Sequence, residues 1–504
     1  MSRKNVILLH TDQQRADSLG CNGNPYARTP NLDRLAAEGT TFTRHIAANP
    51  VCSPSRASLL TGLYPPGHNL WCNGMPLNRR EYVAVNSQAE DQSCDADAGF
   101  VPEPPTMADC FAAAGYDTAS FGKLHFTPYL ADERYGYPET WSLWESGALN
   151  AWHGPYYGFR RVETVMYHGE TPCYGGHYAE WLQREHPDAF RQVRDGEKRR
   201  PWSEVADLYP SPLPFALHNS AWLANRLCAY LAQERPADQP FFAFVGFPDP
   251  HHPFTPCAEI LSEFEGCAVQ TPVDPEARGL TPAARRLNQH QPGDFSAAQF
   301  ETIIRYTYAM VYQIDLAVGR ILDALDTLGL AEDTIVAFTS DHGDFLGDHG
   351  ILRKGLAASD ALLRVPFVLR APGCDLPGQV DTPMSNTDVL PTLASLSDVT
   401  PPAWQHGEDI TRIVREGRQH DALAFSSNGD PESVNYTIYD DRYRLTWYPN
   451  QDFVELFDHH ADPGECRNIA NEAGPRERVR EMKRRITERL ATCYCPIQGR
   501  VCAW

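Results

Sequence analysis

Asn5-Val6-Ile7-Leu8-Leu9-His10 runs directly into the polar group Thr11-Asp12-Gln13. A short, mostly apolar run without alternation reads as a strand buried on both faces, as in parallel sheets. The same arrangement recurs along the chain. Residues 118–121 read as a strand leading to Gly122-Lys123-Leu124-His125. Residues 241–247 lead to Pro248-Asp249-Pro250-His251-His252-Pro253, and 334–339 lead to Ser340-Asp341-His342-Gly343. Residues 364–370 give a further strand. Helical patterns separate these runs: 30–38, stopped by Gly39, and the long stretch 297–328. Strands alternating with helices predict an α/β fold with a large, mostly parallel central sheet. In such sheets ligands sit outside the carboxyl ends of the strands. Asp12, Gln13, His251, Asp341 and His342 all follow strand ends, and that shared position gathers them into one site.

The rest of the chain frames this core. Residues 130–215 are rich in Tyr, Trp, Pro and Gly and read as loops around a site. After about residue 400 the pattern turns to short strands, at 436–439 and 443–447, followed by a helix near 475–490. This divides the chain into a catalytic α/β domain, 1–400, and a smaller C-terminal α+β subdomain with a tail, 401–504. Lys and Arg number 44 against 65 Asp and Glu, a net charge of −21, which argues against a nucleic-acid partner. No apolar run is long enough to span a membrane. The N-terminal apolar stretch is too short for a signal segment, so a cytoplasmic protein is expected. The 14 cysteines include no C-x-x-C pair and read as buried free thiols. The tail from Cys493-Tyr494-Cys495 to Trp504 is rich in cysteine and aromatic residues, and a homo-oligomer is expected to use it.

The chemistry centres on Pro50-Val51-Cys52-Ser53-Pro54-Ser55-Arg56-Ala57-Ser58-Leu59-Leu60-Thr61-Gly62. Proline near the start and glycine at the end fit a short helix with Cys52 at its N-terminal edge. A cysteine beside a prolyl bend is commonly a small buried hydrophobe. Arg56, one turn on, could instead lower the thiol pKa and make a thiolate nucleophile. An aspartate after a strand is commonly a helix cap. Two such ends, each with an adjacent second ligand type, form a candidate metal set of Asp12, Gln13, Asp341 and His342. Mostly oxygen donors favour a hard divalent cation.

The C-x-P-x-R core at Cys52 resembles the signature of the sulfatase family. Gly115-Tyr116-Asp117-Thr118 running to Gly122-Lys123-Leu124-His125 resembles its second signature. Thr11-Asp12-Gln13 and Ser340-Asp341-His342-Gly343-Asp344 look like its metal-binding strand ends. Glu455-Leu456-Phe457-Asp458, with Asp462-Pro463 and Glu465, resembles its C-terminal subdomain.

The resemblance implies an alkaline-phosphatase-like fold and a hydrolase of sulfate monoesters, with aryl sulfates foremost. It implies that Cys52 is oxidised to formylglycine by a formylglycine-generating enzyme, a transient partner, and that Cys52 also ligates one divalent ion, Ca²⁺ or Mn²⁺. His342, where other members carry Asn, and Gln13, where others carry a second Asp, tilt the choice toward Mn²⁺, while Ca²⁺ is the commoner choice in the family, and the two stay open. By the same resemblance Arg56 holds the hydrated aldehyde, His125 acts as a base and His251 protonates the leaving oxygen. P-H-x-P selects His251 over His252. Lys123 and Lys354 hold the anion. Asn73, in Cys72-Asn73-Gly74, together with Gln13 and His342 resembles a branch that hydrolyses phosphonate monoesters and phosphodiesters. Lys123 and His125 resemble the true sulfatases. Asn73 reads equally well as a turn residue before Gly74. The aromatics of 141–157 read either as core or as an apolar leaving-group pocket.

Overall fold

The computed structural model describes residues 3–78, 103–168, 175–196, 207–273 and 295–493. Its strands are β1 (Asn5–Thr11), β2 (Thr40–Phe42), β3 (His45–Ile46), β4 (Asp117–Gly122), β5 (Arg161–Glu163), β6 (Phe241–Gly246), β7 (Thr334–Ser340), β8 (Arg364–Val365), β9 (Phe367–Arg370), β10 (Gln379–Val380), β11 (Met384–Ser385), β12 (Ala422–Ser426), β13 (Asn435–Tyr439), β14 (Tyr443–Tyr448) and β15 (Phe453–Asp458). Eight of them form one sheet in the order β10-β2-β9-β7-β1-β6-β4-β5. From β7 to β5 all neighbours are parallel. The sheet as a whole is mixed, because β9 runs antiparallel to both β7 and β2. The residues between β7 and β9 return the chain through site loops and a short helix, Asp360–Leu363, rather than a crossover of the kind parallel pairing needs.

The stretch 364–370, expected as one strand, is two. Pro366 has no N–H to give a ladder and breaks it. β8 joins a small sheet with β3 and β11, while β9 joins the main sheet. The segment 130–215 holds more regular structure than expected: the edge strand β5 and the helices Trp141–Glu145, Gly176–Glu185 and Pro187–Gly196. A three-residue edge strand is too short to show a period.

The run that opens the chain is buried at every position of β1, and so is β7. Apolar side chains cover both sheet faces. One face packs against the long helix Ala297–Thr327 through Ile314, Val318 and Ile321, the other against Leu59 and Phe111. The C-terminal part is a four-stranded antiparallel sheet, β12-β13-β14-β15, covered by the helix Arg476–Leu490. All ten cysteines among the described residues are free, but only Cys52, Cys257 and Cys493 are fully buried. The remainder of the expected oligomer-forming tail, 494–504, lies outside the described residues. Among the described residues no helix is long and apolar enough to cross a membrane.

Candidate active site

Register brings the strand ends to one level. Thr11 pairs with Ser340, His10 with Gly246, and Gly122 with Gly246. The next residues of β1, β7, β4 and β6 therefore emerge side by side, carrying Asp12, Asp341, Lys123 and, after a short loop, His251. Gly122 has φ +99°, and a Cβ there would collide with the carbonyl of Gly246. Only glycine lets β4 turn away at this point and deliver Lys123.

The cysteine arrives from another direction. The helix Cys52–Thr61 begins at Cys52 itself, is buried along its whole length, and ends at Gly62 with φ 68°. Its first turn is held from outside: the Ser53 amide donates to Asn73 Oδ1 at 3.0 Å. Asn73, a candidate substrate contact, therefore also caps the helix that carries Cys52. Cys52 Sγ lies 2.9 Å from Lys354 Nζ, 3.2 Å from His342 Nε2 and 3.7 Å from Asp12 Oδ1. Burial and Asp12 oppose ionisation of the thiol. Lys354 and His342 outweigh them, and the thiol sits below its ordinary value.

Asp12, Cys52, Asp341 and His342 each offer one ligand atom, all within 4.8 Å of one another and all buried. His342 Nε2 is 3.7 Å from Asp12 Oδ1 and 3.6 Å from Asp341 Oδ1. Those separations suit atoms sharing one cation. His342 Nδ1 faces the Gly343 carbonyl at 2.8 Å, which holds the Nδ1 proton, so that loss of the other ring proton would leave the Nε2 lone pair toward residue 52 for a cation. Two carboxylates, an imidazole and a sulfur position thus fit a divalent ion. Gln13 adjoins this group in a left-handed conformation, φ 66°. Its amide donates to Asp344 Oδ2 at 2.7 Å, and its carbonyl oxygen faces Lys354 Nζ at 3.4 Å.

Two cations converge on the two carboxylates. Arg56 Nε donates to Asp341 Oδ2 at 2.8 Å, Nη1 to the Lys123 carbonyl at 2.9 Å, and Nη2 lies 3.2 Å from Asp12 Oδ2. Lys123 Nζ lies 2.5 Å from the same Asp12 oxygen. Asp12 Oδ2, Arg56 Nη2 and Lys123 Nζ make ion pairs but no aligned hydrogen bond among the described residues. A net acidic protein thus gathers local positive charge where an anion would have to bind.

His251 Nδ1 contacts the His252 carbonyl at 2.5 Å, so its Nε2 faces Lys354 Nζ at 2.7 Å. Burial, with His168 and Lys354 adding to it, holds His251 well below the usual imidazole value. His252 instead stands 3.1 Å from the Gln13 amide. Burial likewise lowers His125, reinforced by Lys123 and Arg56. His125 has φ 60° and stacks on Tyr129 at 4.2 Å.

Three further residues contribute, and of these only Asp344 falls within a motif legible in the sequence. Glu139 is buried and holds the His125 loop: it accepts the amides of His125 at 2.5 Å, Phe126 at 2.8 Å and Thr127 at 3.0 Å, and the Tyr156 hydroxyl at 2.8 Å. Asp344 orients Gln13. His168 stacks on His251 at 3.6 Å. The aromatics of 141–157 divide: Trp144, Tyr156 and Tyr157 are core, while Trp141 is half-buried and packs edge-on to Tyr167 at 5.6 Å.

With this geometry in hand, comparison with known proteins is informative. Residues 4–399 match the family model described as Sulfatase, and residues 347–492 match that of the N-sulphoglucosamine sulphohydrolase C-terminal region. An arylsulfatase of Clostridium perfringens is 26% identical over 97% of this chain and 94% of its own length. A multifunctional alkaline phosphatase superfamily protein of Trinickia caryophylli, PehA, is 29% identical over 84% of this chain and 79% of its own. The crystal structure of a phosphonate monoester hydrolase of Agrobacterium radiobacter superposes with a TM-score of 0.77 at 26% identity, over 97% of this chain and 96% of that one.

Proposed function

The chain belongs to the sulfatase family, hydrolases of sulfuric esters with an alkaline-phosphatase-like fold, and we propose that it cleaves sulfate monoesters, aryl sulfates foremost, at Cys52 converted to formylglycine. The observation that carries this reading is the convergence of Lys354, His342 and Asp12 on one buried sulfur, with Lys123 paired to Asp12 beside it. Cys52 has no exposed surface and the rest of its helix is buried, so the modifying enzyme must reach it before the chain folds around it.

Asp12, Asp341, His342 and residue 52 would hold the cation, with Gln13 beside them. The oxidised side chain, as its hydrate, supplies the nucleophilic hydroxyl and a second that frees the product, and a Ca²⁺ or Mn²⁺ ion supplies Lewis acidity. The chain's own groups do the rest. Lys123 and Lys354 hold the sulfate oxygens, and such pre-aimed donors are worth about 3–4 kcal/mol of barrier each. Arg56 fixes both carboxylates and steadies the hydroxyl-bearing side chain. His125, kept neutral by burial, accepts a proton from that side chain. His251 protonates the leaving oxygen as a relay: the Lys354 ammonium that faces its Nε2 supplies the proton that this nitrogen passes on.

The half-buried Tyr167, 4.8 Å from Tyr129, supports an aryl leaving group. Gln13, His342 and Asn73, and the likeness to the phosphonate monoester hydrolase, favour a second reading in which phosphonate monoesters or phosphodiesters share the site. Comparing kcat/KM on an aryl sulfate and on the matching phenylphosphonate monoester decides between them. A sulfate preference above about tenfold, roughly 1.4 kcal/mol, supports the first, and the reverse ratio the second. Thorough chelation should abolish both activities. Turnover that survives it would remove the metal from Asp12 and Asp341.

A further inference from the structure

His168 follows the edge strand β5, yet its ring stands over the site. It lies face to face with His251, 3.6 Å between centroids and 14° between planes. Its Nε2 is 3.9 Å from Asp12 Oδ2, the oxygen that Lys123 also touches. One atom each from His168, His251, Asp12 and Cys52 lie within 4.8 Å of one another. The His168 side chain keeps 21% exposure where that of Asp12 keeps none. The ring therefore lies between the buried charges and solvent.

Two roles suit an imidazole there, metal ligand or anion donor. Nearly parallel rings 3.6 Å apart hold their nitrogen lone pairs in separate planes, and one cation cannot lie in both. The His251 Nε2 position is also already met by the Lys354 ammonium. We propose that His168 is a further substrate-contacting residue, which donates an N–H to a peripheral oxygen of the bound sulfate from the side where Asp12 and Lys123 meet. This rests on the reading of the site as a sulfate site. A neutral donor adds a hydrogen bond there without adding a fourth positive charge to a pocket that already holds Arg56, Lys123 and Lys354.

The test uses inorganic sulfate as the probe, titrated calorimetrically into the metal-loaded protein, its His168→Ala and His168→Asn variants, and Cys52→Ala. Losing one hydrogen bond to an anion should weaken sulfate binding about tenfold in His168→Ala. His168→Asn, which keeps a donor, should recover part of it. Metal content and Tm should match the parent. Unchanged sulfate affinity in His168→Ala overturns the proposal, and so does loss of metal from that variant, which would make His168 a ligand. If the parent and Cys52→Ala themselves bind no sulfate, the reading of the whole site falls and this inference with it. If they bind sulfate and His168→Ala binds it equally well, only the role of His168 falls.

Discussion

Arg444 on β14 and Glu465 make a buried ion cluster in the C-terminal part, while Arg56, Lys123 and Lys354 crowd around Asp12 and Asp341 at the strand ends. The first cluster is saturated. Arg444 donates to both Glu465 oxygens and, at 2.6 Å, to Thr446 Oγ1. Glu465 also takes the Asp360 amide at 3.0 Å and meets His459 Nε2 at 2.9 Å. The second cluster is unfinished: charged atoms on Asp12, Arg56 and Lys123 lack aligned partners among the described residues, and a sulfur sits in their midst. Both bury charge at equal depth. The saturated one holds the C-terminal sheet against residues 359–360, and the unfinished one keeps hydrogen-bonding capacity for something that arrives.

That contrast is breakable. Arg444→Met should leave the Glu465 carboxylate buried without its main partner and cost about 3–5 kcal/mol of stability. Urea unfolding should show it, while kcat per folded molecule stays at the parent value. A stable variant with altered kcat would erase the distinction between the two clusters. Lys354→Met should do the opposite, lowering kcat/KM by about 10²–10³ while the Tm holds or rises. A large loss of stability there would mean that the site charges, too, serve the fold.

The acid limb sharpens the comparison with a smaller effect. Burial works against the Glu465 carboxylate, but Arg444 and His459 hold it well below its usual value. A depressed carboxyl contributes stability that is present above its unfolded value near ~4.3 and lost as pH falls through the folded one. Between neutrality and that point Glu465 should add no slope to stability against pH. Below it the parent should lose stability toward the Glu465→Gln variant, and the two curves should converge. Parallel curves would show that the ion pair carries none of the stability.

How far the sequence discloses this depends on range. Asp12, Lys123, His251 and Asp341 are legible because each follows an apolar run whose end is a local signal. Cys52 and Arg56 share a helix turn. Lys354 lies on an irregular loop where only the family resemblance points to it, yet it touches the thiol. Glu139, Asp344 and His168 act across loops that have no period, and their partners lie 12 to 331 positions away. Nothing local marks Glu139 and His168, and Asp344 is marked only by its place at the end of Ser340-Asp341-His342-Gly343-Asp344. The break at Pro366 was legible and is the one fold error with a visible cause: a proline inside an apolar run argues against one continuous strand. The reversal of β9 is a matter of connection geometry, which composition does not carry.

The central claim is that residue 52 carries the nucleophile in oxidised form. Tandem mass spectrometry of the peptide containing residue 52, on enzyme of measured activity and beside Cys52→Ala, tests it most directly. An aldehyde at position 52, with oxygen in place of sulfur and two hydrogens fewer than a serine, should appear in proportion to activity, and Cys52→Ala should lose about 10⁶-fold, the scale of a nucleophile knockout. An intact Cys52 thiol throughout fully active enzyme would contradict it.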